Sequence, residues 1–246
     1  MAWSTGPAVS LLLLRGTRCV VLMLRLPGVY RPQADTWLLS KAVREAGLRP
    51  GAQVLDLCTG TGAVAFAAAR AGAGAITAVD TARRAVLAAW LNTRLRRLPV
   101  RVRRADVRHL PQLPRFDLVV ANPPYVPGDP ARGPTRRAER AWDAGPDGRR
   151  FVDRLCAAAP ELLAEGGALL LVHSSLCGEQ ATLDRLRAER LKASVVARRV
   201  EPFGPVLRGR VGYLERAGLI EPGQCHEELV VIRADRLPLP PEHERG

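Results

Sequence analysis

The stretch VLDLCTGTG, residues 54 to 62, joins a short apolar run to a turn that contains two glycines. An apolar run of this length, followed by glycines, is typical of a buried strand that leads into a helix. The glycines permit a tight turn and let a ligand approach the backbone closely. Small residues then continue to about Arg70 and predict a helix. We therefore expect a strand, a loop and a helix, with a binding site at the loop.

Similar units follow along the chain. Short apolar runs predict strands at residues 52–58, 75–80, 100–104, 116–121, 168–173, 194–200 and 228–233. Helical spacing of apolar residues predicts helices over 81–97, 149–164 and 178–190. Strands that alternate with helices are typical of a parallel sheet. The prediction is an α/β fold with a Rossmann-like, seven-stranded, mostly parallel sheet, helices on both faces, and Trp90 in the core.

The length and composition bound the domain organisation. A chain of 246 residues suits one α/β domain with short extensions. We predict an N-terminal extension over residues 1–27, one domain over 28–236 and a flexible tail over 237–246. Met23 offers an alternative translation start. The long Pro- and Gly-rich segment 127–147 is a candidate lid over a substrate.

Several classes of protein are disfavoured by composition. The apolar stretches at 8–14 and 19–24 are too short to span a membrane. The five cysteines contain no C-x-x-C pair, and the four histidines form no metal-binding motif, so we expect no metal site. Reduced thiols and a cytoplasmic location are the expectation.

The net charge of +13 leaves two interpretations open. Basic side chains neutralise phosphates, so the charge is compatible with nucleic-acid binding. Lysine occurs only at Lys41 and Lys192, and a bias toward arginine, alanine, glycine and proline also arises from a GC-rich coding sequence. The densest basic run, 94–104, can equally be a solvated connection between a helix and a strand.

Three acidic residues lie within or shortly after three successive predicted strands. Asp80 lies at the end of the second strand, where a carboxylate can bind both ribose hydroxyls of a nucleotide. The glycine loop alone would also fit NAD. Asp56, however, places a carboxylate where a pyrophosphate would lie, and Asp106 offers an acceptor to an adenine amine. A cationic nucleoside satisfies all three acids, which favours S-adenosylmethionine.

The stretch VVANPPYVPG, residues 119 to 128, ends another buried strand on Asn122-Pro123-Pro124-Tyr125. The Asn122 side-chain oxygen and the Pro123 carbonyl can accept both N–H bonds of a planar amide or aromatic amine. Prolines fix the backbone and remove competing N–H donors. Tyr125 offers a flat face for a planar group. These features predict transfer of a methyl group to such a nitrogen, which needs mainly accurate positioning.

The motifs VLDLCTGTG, AVD, ADV and NPPY together resemble the class I S-adenosylmethionine-dependent methyltransferases that act on planar nitrogens. GVYRPQADTWLL at 28–39 and AWDAGPDGRRFVDRL after the NPPY motif are similar to the short, release-factor branch of the HemK/PrmC-related family. The resemblance runs from about Gly28 to Arg233. Cys58 departs from it by replacing the first family glycine, and Ala34 replaces a common glutamate.

The resemblance implies specific site residues and partners. Residues around the cofactor would be Thr36, Asp56, Cys58, Thr59, Gly60, Thr61, Gly62, Asp80, Asp106 and Asn122. Residues that hold the acceptor would be Asn122, Pro123, Pro124 and Tyr125. The implied substrate is a glutamine in a protein such as a translation release factor, with a small activating subunit as a further partner. Adenine-N(6) methylation of RNA or DNA, lysine methylation and a non-catalytic scaffold remain alternatives.

Overall fold

The computed structural model describes residues 10–16, 19–107, 112–132 and 142–238. The expected extension, lid and tail therefore lie partly outside the described residues. The strands are β1 Ser10–Gly16, β2 Cys19–Arg25, β3 Gln53–Leu57, β4 Ala75–Asp80, β5 Val100–Arg104, β6 Phe116–Ala121, β7 Leu163–Ser174, β8 Lys192–Pro202 and β9 His226–Asp235. The helices are α1 Ala34–Glu45, α2 Ala63–Arg70, α3 Arg83–Arg94, α4 Arg150–Leu162, α5 Glu179–Ala188, α6 Pro205–Arg208 and α7 Val211–Arg216.

Seven strands form the central sheet in the order β5-β4-β3-β6-β7-β9-β8. Neighbouring strands from β5 to β7 pair in parallel, whereas β9 pairs antiparallel with both β7 and β8. The predicted seven-stranded, mostly parallel sheet is thus confirmed. The chain moves from β3 toward β4 in one direction and from β6 toward β7 in the other. Right-handed crossovers then carry α2 and α4 over opposite faces of the sheet.

The centre of the sheet is buried on both faces, as parallel sheets require. Residues Val54, Leu55 and Leu57 of β3 have no exposed surface. The apolar centre of β7 is equally buried, from Ala168 to Val172. β3 and β6 lie side by side at the point where the strand order reverses, and a crevice forms there at the carboxyl ends of the strands. The fold therefore places the glycine loop and the NPPY loop next to each other.

The N-terminal hairpin of β1 and β2 is tied to α3. Asn92 donates from Nδ2 to the Leu24 carbonyl and accepts from the Leu24 N–H, both at 2.8 Å. Met23 is 1% exposed and packs against Ala63. The proposed domain boundary at residue 28 stays a prediction, and these contacts favour an earlier boundary.

The prediction for Trp90 is wrong, because this side chain is 48% exposed. Helix α3 instead buries the small residues Ala85, Ala88 and Ala89. The larger apolar residues at helical spacing lie on the opposite side, and Leu87 and Leu95 are also exposed.

Among the described residues, no helix is both long and apolar enough to cross a membrane.

Candidate active site

A cavity of about 830 Å³ lies at the carboxyl ends of β3, β4 and β6. The structure brings most of the predicted site residues to its wall: Thr36, Cys58, Thr59, Gly60, Thr61, Asp80, Asn122, Pro123, Pro124 and Tyr125. Asp56, Gly62 and Asp106 do not line this cavity. Their part in cofactor binding stays a prediction.

The glycine loop turns through left-handed backbone conformations. Gly60 and Gly62 have φ of 57° and 83°, values that glycine adopts without steric cost. A Cβ on Gly62 would also lie 3.4 Å from the Ala89 backbone. Cys58 shares the left-handed conformation, with φ of 59°. Burial and the nearby Asp80 carboxylate raise the pKa of the Cys58 thiol well above its usual value, so this cysteine is not an activated nucleophile.

Asp80 joins the glycine loop to the end of β4. Its Oδ2 accepts from the Gly60 N–H at 3.0 Å, and its Oδ1 accepts from the Ala82 N–H at 2.9 Å. Burial raises its pKa. A carboxylate has about four lone-pair sites, so Asp80 retains acceptor capacity at the cavity wall.

Asp56 is buried and does not line the cavity. Its Oδ2 accepts from the Thr59 hydroxyl at 2.5 Å and from the Ala65 N–H at 3.0 Å, which ties the loop to α2. Burial raises the pKa of this carboxyl to about 7. Asp56 was predicted to lie beside the cofactor, and that role stays a prediction; in the structure this carboxyl group holds the loop against α2.

Asn122 directly follows β6, is half-buried, and binds through its amide nitrogen to two residues that also line the cavity. Nδ2 donates to Asp35 Oδ2 at 3.1 Å and lies 3.3 Å from the Thr36 hydroxyl. The Tyr125 hydroxyl donates to the same Asp35 oxygen at 3.2 Å. No role was predicted for Asp35, although the stretch Ala34-Asp35-Thr36 that contains it lies within the segment 28–39 that resembles the family.

The backbone of the NPPY loop is fixed from behind. The Cys177 thiol donates to the Tyr125 carbonyl at 2.9 Å. A Cβ on Gly148 would lie 2.3 Å from that carbonyl, so only glycine allows this approach. Val126 pairs with Asp143 in an isolated parallel bridge. The segment after the motif thus packs directly onto the loop.

Arg210 lies in the turn between α6 and α7, and its side chain binds the residues that follow the NPPY loop. Its guanidinium donates to the Pro127 carbonyl and lies 3.1 Å from Asp143 Oδ2. The two side chains are 7% and 11% exposed, which makes this a buried ion pair. Arg210 has no motif of its own, and its partners are far away in sequence, so pattern analysis missed it.

Comparison with known proteins identifies the family. The family model described as methyltransferase small domain matches residues 23–136. A protein of Methanocaldococcus jannaschii, provisionally named a protein N5-glutamine methyltransferase, is 32% identical over 177 residues, covering 72% of this chain and 88% of that protein. A release factor glutamine methyltransferase of Mycobacterium tuberculosis H37Rv is 32% identical over 206 residues, covering 78% of this chain and 67% of the relative.

A solved structure shares the fold. A chain of the E. cuniculi Mtq2–Trm112 complex, described as responsible for methylating the eRF1 translation termination factor, superposes with a TM-score of 0.57. Its sequence identity is 23%, and the match covers 85% of this chain and 99% of that chain. The fold, the crevice and these relatives agree, and the chain belongs to the HemK-related methyltransferase family that its motifs predicted.

Proposed function

We propose that this protein transfers a methyl group from S-adenosylmethionine to the side-chain amide nitrogen of a glutamine in a translation release factor. The observation that carries the proposal is the orientation of Asn122. Its amide nitrogen donates to Asp35 at 3.1 Å, and Asn122 lines the cavity, so the amide oxygen is the end of this side chain that remains to accept a hydrogen bond. The names of the archaeal and mycobacterial relatives support glutamine as the acceptor.

The cavity suits the methyl donor. Its volume of about 830 Å³ is in the range of small-molecule sites. Gly60 allows close approach of the backbone, Asp80 presents acceptors for ribose hydroxyls, and Thr36 adds a hydroxyl at the wall. When bound, S-adenosylmethionine supplies an electrophilic methyl group on a sulfonium. The residues fit this group, although Asp56 and Asp106 would act from behind the wall.

The acceptor side works by positioning. A carboxamide nitrogen is a weak nucleophile because its lone pair is delocalised into the carbonyl. Asn122 Oδ1 and the Pro123 carbonyl accept its two N–H bonds and direct the nitrogen toward the methyl group. A rigid pair of acceptors reduces the entropy that must be lost in the transition state. As the new C–N bond forms, the methyl–sulfur bond of the donor would break, S-adenosylhomocysteine would leave, and one of the two N–H protons would pass to solvent. The developing positive charge on the nitrogen strengthens both hydrogen bonds.

A second acceptor class is favoured by the aromatic residues at the wall. Tyr125, Trp142 and Phe151 all line the cavity, and aromatic faces stack on nucleic-acid bases. Adenine-N(6) methylation would use the same two acceptors. The relatives favour glutamine, and the experiment below separates the two.

The test uses purified protein, tritiated S-adenosylmethionine, and candidate release factors or RNA. We expect label in the release factor, mapped by mass spectrometry to one glutamine and lost when that glutamine is replaced. Asn122→Ala is expected to lower kcat about 100-fold while the protein stays folded and loses only a little stability, since Asp35 keeps its donors Tyr30 and Tyr125. Gln180→Ala removes an exposed amide on α5 that does not line the cavity, and it serves as the matched control. Label that enters only RNA would refute the proposal in favour of the adenine reading.

We further propose that a small, acidic activating subunit binds α3 and the open edge of the sheet. Leu87, Trp90 and Leu95 form an exposed apolar ridge with exposed fractions of 47%, 48% and 74%. Exposed arginines of β5, at the sheet edge, lie near this ridge and favour an acidic partner. The fold neighbour was solved with Trm112 as its partner.

Mixing this protein with E. cuniculi Trm112 in size-exclusion chromatography tests the surface. We expect a 1:1 complex that Leu87→Glu abolishes and that the distant, exposed Arg190→Glu preserves. A complex that survives Leu87→Glu, or no complex at all, would exclude this surface. A release-factor substrate would also place the enzyme in the cytoplasm.

A further inference from the structure

The Asn122 amide has a fixed donor end. An asparagine amide can rotate by half a turn and exchange its oxygen and nitrogen ends. Only one of these orientations presents the oxygen to a substrate N–H. In this structure Nδ2 lies 3.1 Å from Asp35 Oδ2, so the oxygen end is directed elsewhere. A carboxylate accepts hydrogen bonds and donates none, so Asp35 can bind only the nitrogen end of the amide.

Asp35 is itself held rigidly. It is 2% exposed and lies in the first turn of α1. Its Oδ1 accepts from the Thr36 N–H at 2.5 Å and from the Thr36 hydroxyl at 3.0 Å. Its Oδ2 accepts from Tyr30 at 2.8 Å and Tyr125 at 3.2 Å, in addition to Asn122. Every group that contacts the Asp35 carboxylate donates a hydrogen bond to it. Neither the carboxyl group nor the Asn122 amide can therefore turn without losing hydrogen bonds.

The two tyrosines remain donors. Burial, followed by the charge of Asp35, raises the pKa of both Tyr30 and Tyr125 well above the usual value. Their hydroxyls therefore stay protonated at neutral pH. Gln33 Nε2 in turn donates to the Tyr30 oxygen at 3.0 Å. The network runs in one direction, from Gln33 through Tyr30 to Asp35.

We infer that Asp35 is a positioning residue that sets the orientation of the Asn122 amide, so that its oxygen faces the acceptor substrate. This inference rests on the proposed function for its effect on activity. It does not rest on the identity of the substrate, because any N–H acceptor held by Asn122 needs the same orientation. A merely structural role would affect stability and leave the amide orientation untouched.

The first test is a double-mutant cycle in methyl transfer. Asp35→Asn replaces the carboxylate with a group that binds either end of the Asn122 amide. We expect kcat to fall at least about tenfold, since misplaced catalytic groups lose one to two orders of magnitude. In an Asn122→Ala background, Asp35→Asn should change kcat less than about threefold, because no amide remains to be oriented. Tyr30→Phe removes a different donor from the same carboxylate and should lower kcat less than about fivefold.

The second test needs no substrate. In NMR spectra of the ¹⁵N-labelled protein, the Asn122 side-chain amide should give one pair of resonances with slow solvent exchange. The pair should double or broaden in Asp35→Asn. If Asp35→Asn does not fold, the wild-type spectrum decides, since an averaged, rapidly exchanging amide would overturn the inference. The inference would also be overturned if Asp35→Asn lowered kcat by the same factor in the wild type and in the Asn122→Ala background.

The outcomes also separate the two proposals. If no glutamine is methylated, the proposed function fails, and the amide resonances alone decide the role of Asp35. If glutamine is methylated and the cycle is multiplicative, the proposed function stands and Asp35 is only structural.

Discussion

Replacing Glu227 with glutamine should stabilise the protein at alkaline pH. Glu227 lies in β9 near Ser174, and its Oε2 atom is buried with no hydrogen-bond partner in the part of the chain that the structure describes. Burial raises the pKa of its carboxyl group from 4.5 to about 7, against a smaller lowering effect of Ser174. The folded state therefore holds this proton more tightly than the unfolded state does.

The sign and size of the effect follow from this difference. For a carboxyl group with a raised pKa, stability is greatest at low pH and is lost as the pH rises from about 4.5 to about 7. One pKa unit corresponds to about 1.4 kcal/mol, so ionising Glu227 costs up to about 3 kcal/mol at pH 8. At pH 5 the same linkage costs less than about 1 kcal/mol. Glutamine stays neutral and avoids both costs.

Urea unfolding of both proteins at pH 5 and pH 8 measures the difference. We expect Glu227→Gln to gain about 3 kcal/mol at pH 8, or about 6 °C or more in unfolding temperature, and to gain much less at pH 5. Other groups contribute equally to both proteins and cancel. Glu228→Gln removes a neighbouring carboxylate, bound to Arg198 at 2.8 Å, and is the matched control with an expected change below about 1 kcal/mol. Equal pH profiles for the wild type and Glu227→Gln would refute the reasoning.

Three further predictions concern the site. Cys58→Gly should relieve the left-handed backbone at φ of 59° and raise the free energy of unfolding by up to about 1 kcal/mol in urea denaturation; a loss of stability would contradict this. Arg210→Met should leave the Asp143 carboxylate buried without its cation and destabilise the protein by about 3 kcal/mol, and Asp143→Leu in the same chain should recover most of the loss. Equal stability of the single and double variants would show that the pair is not coupled. Asp56 has a pKa raised to about 7, so binding of a cationic cofactor at pH 7 should release about half a proton and weaken as the pH falls. Calorimetry in buffers of different ionisation enthalpy counts the proton, and a count of zero would place Asp56 out of the cofactor's reach.

The elements that were predicted from the sequence are those that leave a pattern in neighbouring residues. The strand β3 and its loop were recognisable because an apolar run ends directly at left-handed glycines. The second half of the sheet was predicted with strands that are too short. Strands β8 and β9 extend beyond their apolar centres because their antiparallel pairing continues through polar and exposed residues. Strand β7 begins earlier than predicted, at Leu163, which pairs in parallel with Phe116 of β6.

Long-range packing decided what the sequence could not show. Apolar spacing in α3 suggested that Trp90 is buried, but small alanines allow the helix to approach the sheet and leave the large side chains outside. Helices α6 and α7 are too short for a periodic signal. The contacts of Asp35 with Asn122, and of Arg210 with Asp143, join residues that are 87 and 67 positions apart. No local pattern carries such pairs.

The NPPY loop, which we propose holds the acceptor, is contacted along its length by elements that are distant in sequence. These contacts argue for a site formed before the substrate arrives. Asp35 of α1 fixes the Asn122 side chain, Cys177 after β7 fixes the Tyr125 carbonyl, and Arg210 fixes the Pro127 carbonyl. Because the prolines already limit the backbone, these contacts leave little conformational freedom to lose on binding. A weak nucleophile gains most from such a site, since the orientation entropy has been lost during folding. If the loop holds the acceptor as proposed, weakening the buried ion pair of Arg210 should lower kcat more than it raises KM, because the loop would lose rigidity.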